Sequence, residues 1–82
     1  MTTVFFCFEK GSKSEIFAYF PDVPHDNIGN FTCYSHVGQH SSCSPKYFSE
    51  CEVITKKSVY QPLKNELISI GYNDLVVINE KF

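Results

Sequence analysis

Four residues with metal-ligand chemistry fall close together in the chain: Cys33, His36, His40 and Cys43, in the pattern C-x2-H-x3-H-x2-C. Thiolate sulfur and imidazole nitrogen are ligands of tetrahedral zinc, at about 2.0–2.3 Å from the metal. Such a site would suit a nucleic-acid-binding module stapled through this loop. The spacing fits none of the common zinc patterns. Cys33 and His36 have opposite parity, so a strand through both points them apart. The set converges only if the strand ends near Ser35 and the chain curls back. The default expectation is therefore structural cysteines and loop histidines, with no bound metal and no cofactor.

His40 and Cys43 are also close enough in sequence for a histidine to activate a thiol. Nearness in sequence is not geometry, and no nucleophile elbow or local signature surrounds the pair. Asp22, His25 and Asp26 lie in a Pro-flanked stretch where a solvated turn is the simpler reading of their side chains. Walker, dinucleotide and deaminase patterns are absent from the sequence. The expectation is a protein that is not an enzyme.

The elements that would carry these groups must form within 82 residues, which give room for one domain spanning 1–82 and one core. Nine acids face seven bases for a net charge of −2, and every base is a lysine. Arginine is the usual side chain for bidentate phosphate and guanine recognition. Its absence, in an acidic chain, counts against nucleic acid as the main partner and against phosphate-handling chemistry. No apolar run is long enough to span a membrane. The opening residues lack the basic and long apolar regions of a signal peptide, so the chain is expected in the cytoplasm. There the four cysteines (Cys7, Cys33, Cys43, Cys51) are expected as small buried hydrophobes. The sequon at Asn30 then carries no weight.

Residues 4–8 form a continuous β-prone run, closed by the turn-forming 10–13, and residues 14–20 read as its antiparallel hairpin partner. Pro21 ends that strand, and 21–30 read as a loop. A third strand is expected over about 31–37, then a polar loop over 38–43. Ser44-Pro45 has the chemistry of a helix start, predicting a short helix over about 45–51. Residues 52–55 read as a short strand or an extended connection. The main helix is expected from about Ser58 to Ile70, on the spacing of Val59, Leu63, Leu67 and Ile70, with Gly71 beyond its end. Pro62 then falls in the opening turns, at a cost of about one hydrogen bond. A last strand is expected over 75–79. Together these give an α+β fold, a four- or five-stranded, mostly antiparallel sheet with one main and one short helix on one face.

The hairpin has no polar face. Alternation puts Phe5 and Cys7 on one side of the first strand and Val4, Phe6 and Phe8 on the other. In the second strand Ile16, Ala18 and Phe20 oppose Phe17 and Tyr19. If both helices cover one face, the other shows rings to solvent, and an uncovered apolar patch marks an interaction site. The alternative is that loops, the short helix or a homodimer mate covers that second face. Phe5, Ile16 and Ala18 are assigned to the core, and Phe6, Phe8, Phe17 and Tyr19 to a partner-facing surface. A host protein or a homodimer mate fits such a surface better than nucleic acid, because the rings lack a basic surround.

The stretch from Phe31 to Pro45, FTCYSHVGQHSSCSP, resembles a segment of small phage and mobile-element proteins from Bacteroidetes-type bacteria, with further likeness at Val4-Phe5-Phe6 and from Glu66-Leu67 to Gly71-Tyr72. The resemblance implies an accessory protein in phage–host conflict. It raises the expectation of an inhibitor of a host defence protein, such as a CRISPR effector. It assigns no residue a role.

Overall fold

A computed structural model describes residues 1–35 and 39–79. Five strands and two helices run in the order β1 (Thr2–Phe8), β2 (Ile16–Pro24), β3 (Phe31–Ser35), β4 (Gln39–Cys43), α1 (Pro45–Glu50), α2 (Lys57–Ser69) and β5 (Leu75–Val77). The strands form one sheet in the order β4-β3-β2-β1-β5. Three of its neighbouring pairs are antiparallel, and β5 lies parallel to β1. The fold is α+β with a mixed, mostly antiparallel sheet, as the pattern of elements predicts.

Each element follows from local chemistry. Ser44 caps α1 through its side-chain oxygen, which accepts from the Tyr47 amide at 3.1 Å, and Pro45 sits at the first helical position. Helix α2 buries Tyr60, Leu63 and Leu67 along one stripe. Gly71, with φ of +121°, turns the chain away beyond the helix end. The same turn removes Ile70 from the expected core stripe: Ile70 is the C-cap residue and lies half-exposed.

Two further expectations are corrected. Residues 39–43 are not a polar loop but the edge strand β4, paired with β3 from Phe31↔Cys43 to Ser35↔Gln39. Polar side chains suit a strand that lies outermost and faces water. Strand β2 also does not stop at Pro21. It continues to Pro24, with a register shift between Phe20 and Pro24 that accommodates residues unable to donate to the ladder. The stretch after α1 is an extended connection. Its Val53 bridges Cys7, while Phe8 N donates to Glu52 O at 2.9 Å and Ile54 N to Phe6 O at 2.7 Å. This connection and β5 share the outer edge of β1.

The largest correction concerns the layers. The helices do not lie on one face. Tyr60, Leu63 and Leu67 of α2 pack on Val4, Phe6, Ala18, Phe20 and Tyr34. Tyr47 and Phe48 of α1 pack on Phe5, Cys7, Phe17, Tyr19 and Cys33 from the other side. A strand without a polar face is what a sheet covered on both sides requires.

Candidate functional site

The hairpin register decides the fate of the aromatic set. Phe5 stands opposite Tyr19, Phe6 opposite Ala18, Cys7 opposite Phe17 and Phe8 opposite Ile16. Residues directly opposite share a face. Phe6 and Phe8 therefore point toward α2, and Phe17 and Tyr19 toward α1. The four do not form one surface. Phe6 is fully buried and stacks on Tyr60, with ring centroids 4.7 Å apart. Phe8 is partly buried at the margin of the same core. Tyr19 is buried and stacks on Phe48 at 4.1 Å, and Phe17 lies 6.0 Å from Tyr47. The exposed aromatic surface expected at Phe6, Phe8, Phe17 and Tyr19 is thus replaced by two interior ring clusters. The core assignment of Phe5, Ile16 and Ala18 is also split, since Phe5 faces α1 while Ile16 and Ala18 face α2.

Strand alternation also takes apart the Cys/His string. Cys33 pairs with Ser41, so Cys33, Ser41 and Cys43 share the α1 face. His40 pairs with Tyr34 and faces the α2 side, where its ring lies 5.1 Å from that of Tyr34. His36 lies outside the described residues. Among the described residues, no three His, Cys, Asp or Glu side chains converge as a metal site would need. In the Pro-flanked loop, Asp26 accepts from the amides of Ile28 and Asn30 and from the Asn30 side chain, all within 3.1 Å. The Asn30 hydrogen bond leads in holding its carboxyl below the usual carboxylate range. Asp26 organises a turn.

Three groupings emerge that the sequence did not suggest. The first is a polar seam between α2 and the sheet. Tyr34 donates to Glu66 at 2.5 Å, and His40 Nε2 lies 2.8 Å from the Tyr72 hydroxyl, itself stacked on Phe20. The seam ties the edge strand and the far end of α2 to one another.

The second is a nest of thiols. All four cysteines are buried on the α1 face in a single cluster. The third is an aliphatic rim at the C-terminal end of α2, where Ile68 and Ile70 are 48% and 49% exposed. Ile68 lines a groove of about 290 Å³ with Lys64, Tyr72, Asn73 and Leu75. A sequence signal existed for this rim. Ile68 falls about 100° around the helix from Leu67 and so off the buried stripe.

Among the described residues no helix is long and apolar enough to cross a membrane. Comparison of the chain with protein-family models, with curated proteins and with solved structures yields no match, so a reading of function rests on these residues and their geometry.

Proposed function

We propose that this chain is a non-enzymatic protein-binding module whose contact surface is the aliphatic rim of α2. The observation that carries this reading is the half-exposed Ile68 in a groove lined by Tyr72 and Leu75, with the half-exposed Ile70 at the same end of the helix. Large aliphatic side chains grouped at one end of so small a domain favour association. The partner is a protein segment with an apolar anchor for the groove and a carboxylate to meet Lys64 at its rim. Hydrophobic anchors set in a pocket carry most of the energy of such contacts. The acidic, arginine-free composition speaks against nucleic acid as the alternative partner. A host defence protein such as a CRISPR effector, met in the host cytoplasm, is the narrower form of this reading. It rests on the resemblance to phage and mobile-element proteins alone.

Affinity capture from nuclease-treated host lysate tests the proposal, using wild type beside Ile68→Glu and Ile70→Glu. Both variants are expected to keep wild-type thermal stability within about 0.5 kcal/mol, as exposed positions do. Both are expected to lose the protein captured by wild type. Retention of that protein by the folded variants contradicts the proposal. Capture that nuclease abolishes would instead support nucleic acid as the partner.

A further inference from the structure

The thiol nest holds more than packing. Cys7 comes from β1, Cys33 from β3, Cys43 from the last residue of β4, and Cys51 from the cap of α1. Within the nest Cys33 and Cys43 form a pair. They lie diagonally across neighbouring strands on the same face, with Ser41 between them in register. Both thiols make polar contacts: Cys33 Sγ lies 3.2 Å from Ser41 Oγ, and Cys43 Sγ donates to the Ser44 carbonyl at 3.5 Å. Sulfur placed only for its bulk needs no such polar contacts.

We propose that Cys33 and Cys43 are a reversible dithiol–disulfide pair, oxidised by hydrogen peroxide, with Cys33 as the attacking thiolate and Cys43 as the resolving thiol. The inference is independent of the protein-binding reading. In the first step the Cys33 thiolate attacks one peroxide oxygen and the O–O bond breaks. Cys33 becomes a sulfenic acid, and the other oxygen leaves as hydroxide and takes a proton to become water. In the second step Cys43 Sγ attacks the Cys33 sulfur. The S–S bond forms, the S–O bond breaks, and the departing hydroxide takes the Cys43 proton as a second water. Two thiols and one peroxide thus give one disulfide and two waters, the two sulfurs being oxidised and the peroxide reduced.

The roles follow from the environment of each sulfur. The neighbouring Cys43 thiol leads in pulling the Cys33 thiol down to about 7, the Ser41 hydroxyl adds to it, and burial and Glu9 oppose. A thiol titrating near neutrality is substantially thiolate there, which is the nucleophilic form. Cys43 is pushed up, first by the Cys33 thiol beside it and then by burial, so it remains the protonated partner. Access selects the oxidant. With Cys33 only 9% and Cys43 only 5% exposed, a small peroxide reaches sulfur where a bulky disulfide does not.

Geometry adds a constraint. Diagonal neighbours across an antiparallel pair stand roughly 7–8 Å apart. A disulfide prefers Cα atoms within about 6.8 Å. Closing the bond therefore draws β4 toward β3, and β4 can move because it is the edge strand, paired on one side only. Disulfides closed under such strain are the ones most easily reduced again.

The test treats folded, fully reduced protein with stoichiometric hydrogen peroxide, alkylates under denaturing conditions and maps cross-linked peptides by mass spectrometry. Wild type is expected to fall from four alkylated cysteines to two, with a peptide linking Cys33 to Cys43, and to recover all four after dithiothreitol. Cys43→Ser is expected to stop at a dimedone-trappable sulfenic acid on Cys33. Cys51→Ser is expected to form the same Cys33–Cys43 link, falling from three alkylated cysteines to one. Four alkylated cysteines after peroxide, or a disulfide that uses Cys7 or Cys51, would overturn the proposal. The wild-type peptide map decides the matter even if a serine variant fails to fold.

Discussion

On one side of the sheet the 13-residue helix α2 lays Tyr60, Leu63 and Leu67 over Val4, Phe6, Ala18 and Phe20. On the other, the six-residue α1 brings only Tyr47 and Phe48 down onto Phe5, Cys7, Phe17 and Tyr19. The two central strands feed both sides equally, yet one cover is twice as long as the other. The shorter cover compensates with specific contacts. Phe48 stacks on Tyr19 and packs 4.9 Å from Phe5. The Tyr47 hydroxyl donates to Glu9 at 2.7 Å and accepts from the Lys10 amide at 3.2 Å, pinning α1 to the hairpin turn. Ion pairs from Lys10 to Glu50 and from Lys13 to Glu52 span the same gap. These are exposed pairs and add little each. A short helix can thus close a sheet face when rings and side-chain hydrogen bonds replace helix length.

Emptying either core is expected to destabilise the fold most. Phe6→Ala on the α2 side and Phe5→Ala on the α1 side both remove fully buried rings. Each is expected to cost ~3–5 kcal/mol in urea unfolding, against a total of about 5–15 kcal/mol for a domain. Near-neutral behaviour of Phe5→Ala alone would mean that α1 does not cover its face.

Removing the cap of α1 is expected to do less. Ser44→Ala deletes the side-chain acceptor of the Tyr47 amide, at a cost of ~1 kcal/mol in the same measurement. Because α1 is so short, this loss should also raise amide exchange of Phe48 more than that of Leu63.

The mildest effect is one of pH. Donation to Glu9 pushes the Tyr47 phenol from 10.0 up to about 12. A group raised on folding contributes stability below its unfolded value and loses it as pH rises through the folded one. The extra stability is therefore present below pH 10 and lost between about 10 and 12. Tyr19 and Tyr72 are raised as well, chiefly by burial, so the useful quantity is a difference. The gap in urea midpoint between wild type and Tyr47→Phe should narrow across that window. A gap that is constant with pH would contradict the Tyr47–Glu9 contact.

What the sequence conveys about this fold is local. The Ser44-Pro45 cap, the Leu63 and Leu67 stripe and Gly71 each state their roles within a few residues, and both helices lie where these signals put them. The absence of a polar face on the hairpin is also legible, and its meaning turns on a long-range fact. Whether both faces are covered depends on where α1 lands, which no residue of the hairpin encodes. Register is hidden for the same reason. The parity of Phe6 and Phe8, or of Phe17 and Tyr19, is fixed within each strand, but the turn decides that Phe6 meets Ala18. The strand β4 is obscured by its own composition, Gln-His-Ser-Ser-Cys, which reads as loop unless an edge position is granted. The thiol pair follows from that strand, because Cys33 and Cys43 share a face only once residues 39–43 are extended.

Closure by α1 of the face holding the four thiols sets this fold apart from a sheet covered on one side. It is tested most directly by the rate at which a bulky aromatic disulfide reagent labels cysteines in the native, reduced protein. The structure predicts that Cys7, Cys33, Cys43 and Cys51 all label slowly, at a rate that rises with urea in step with unfolding. Rapid labelling of any of the four without denaturant, while the protein remains folded, would contradict the closed face.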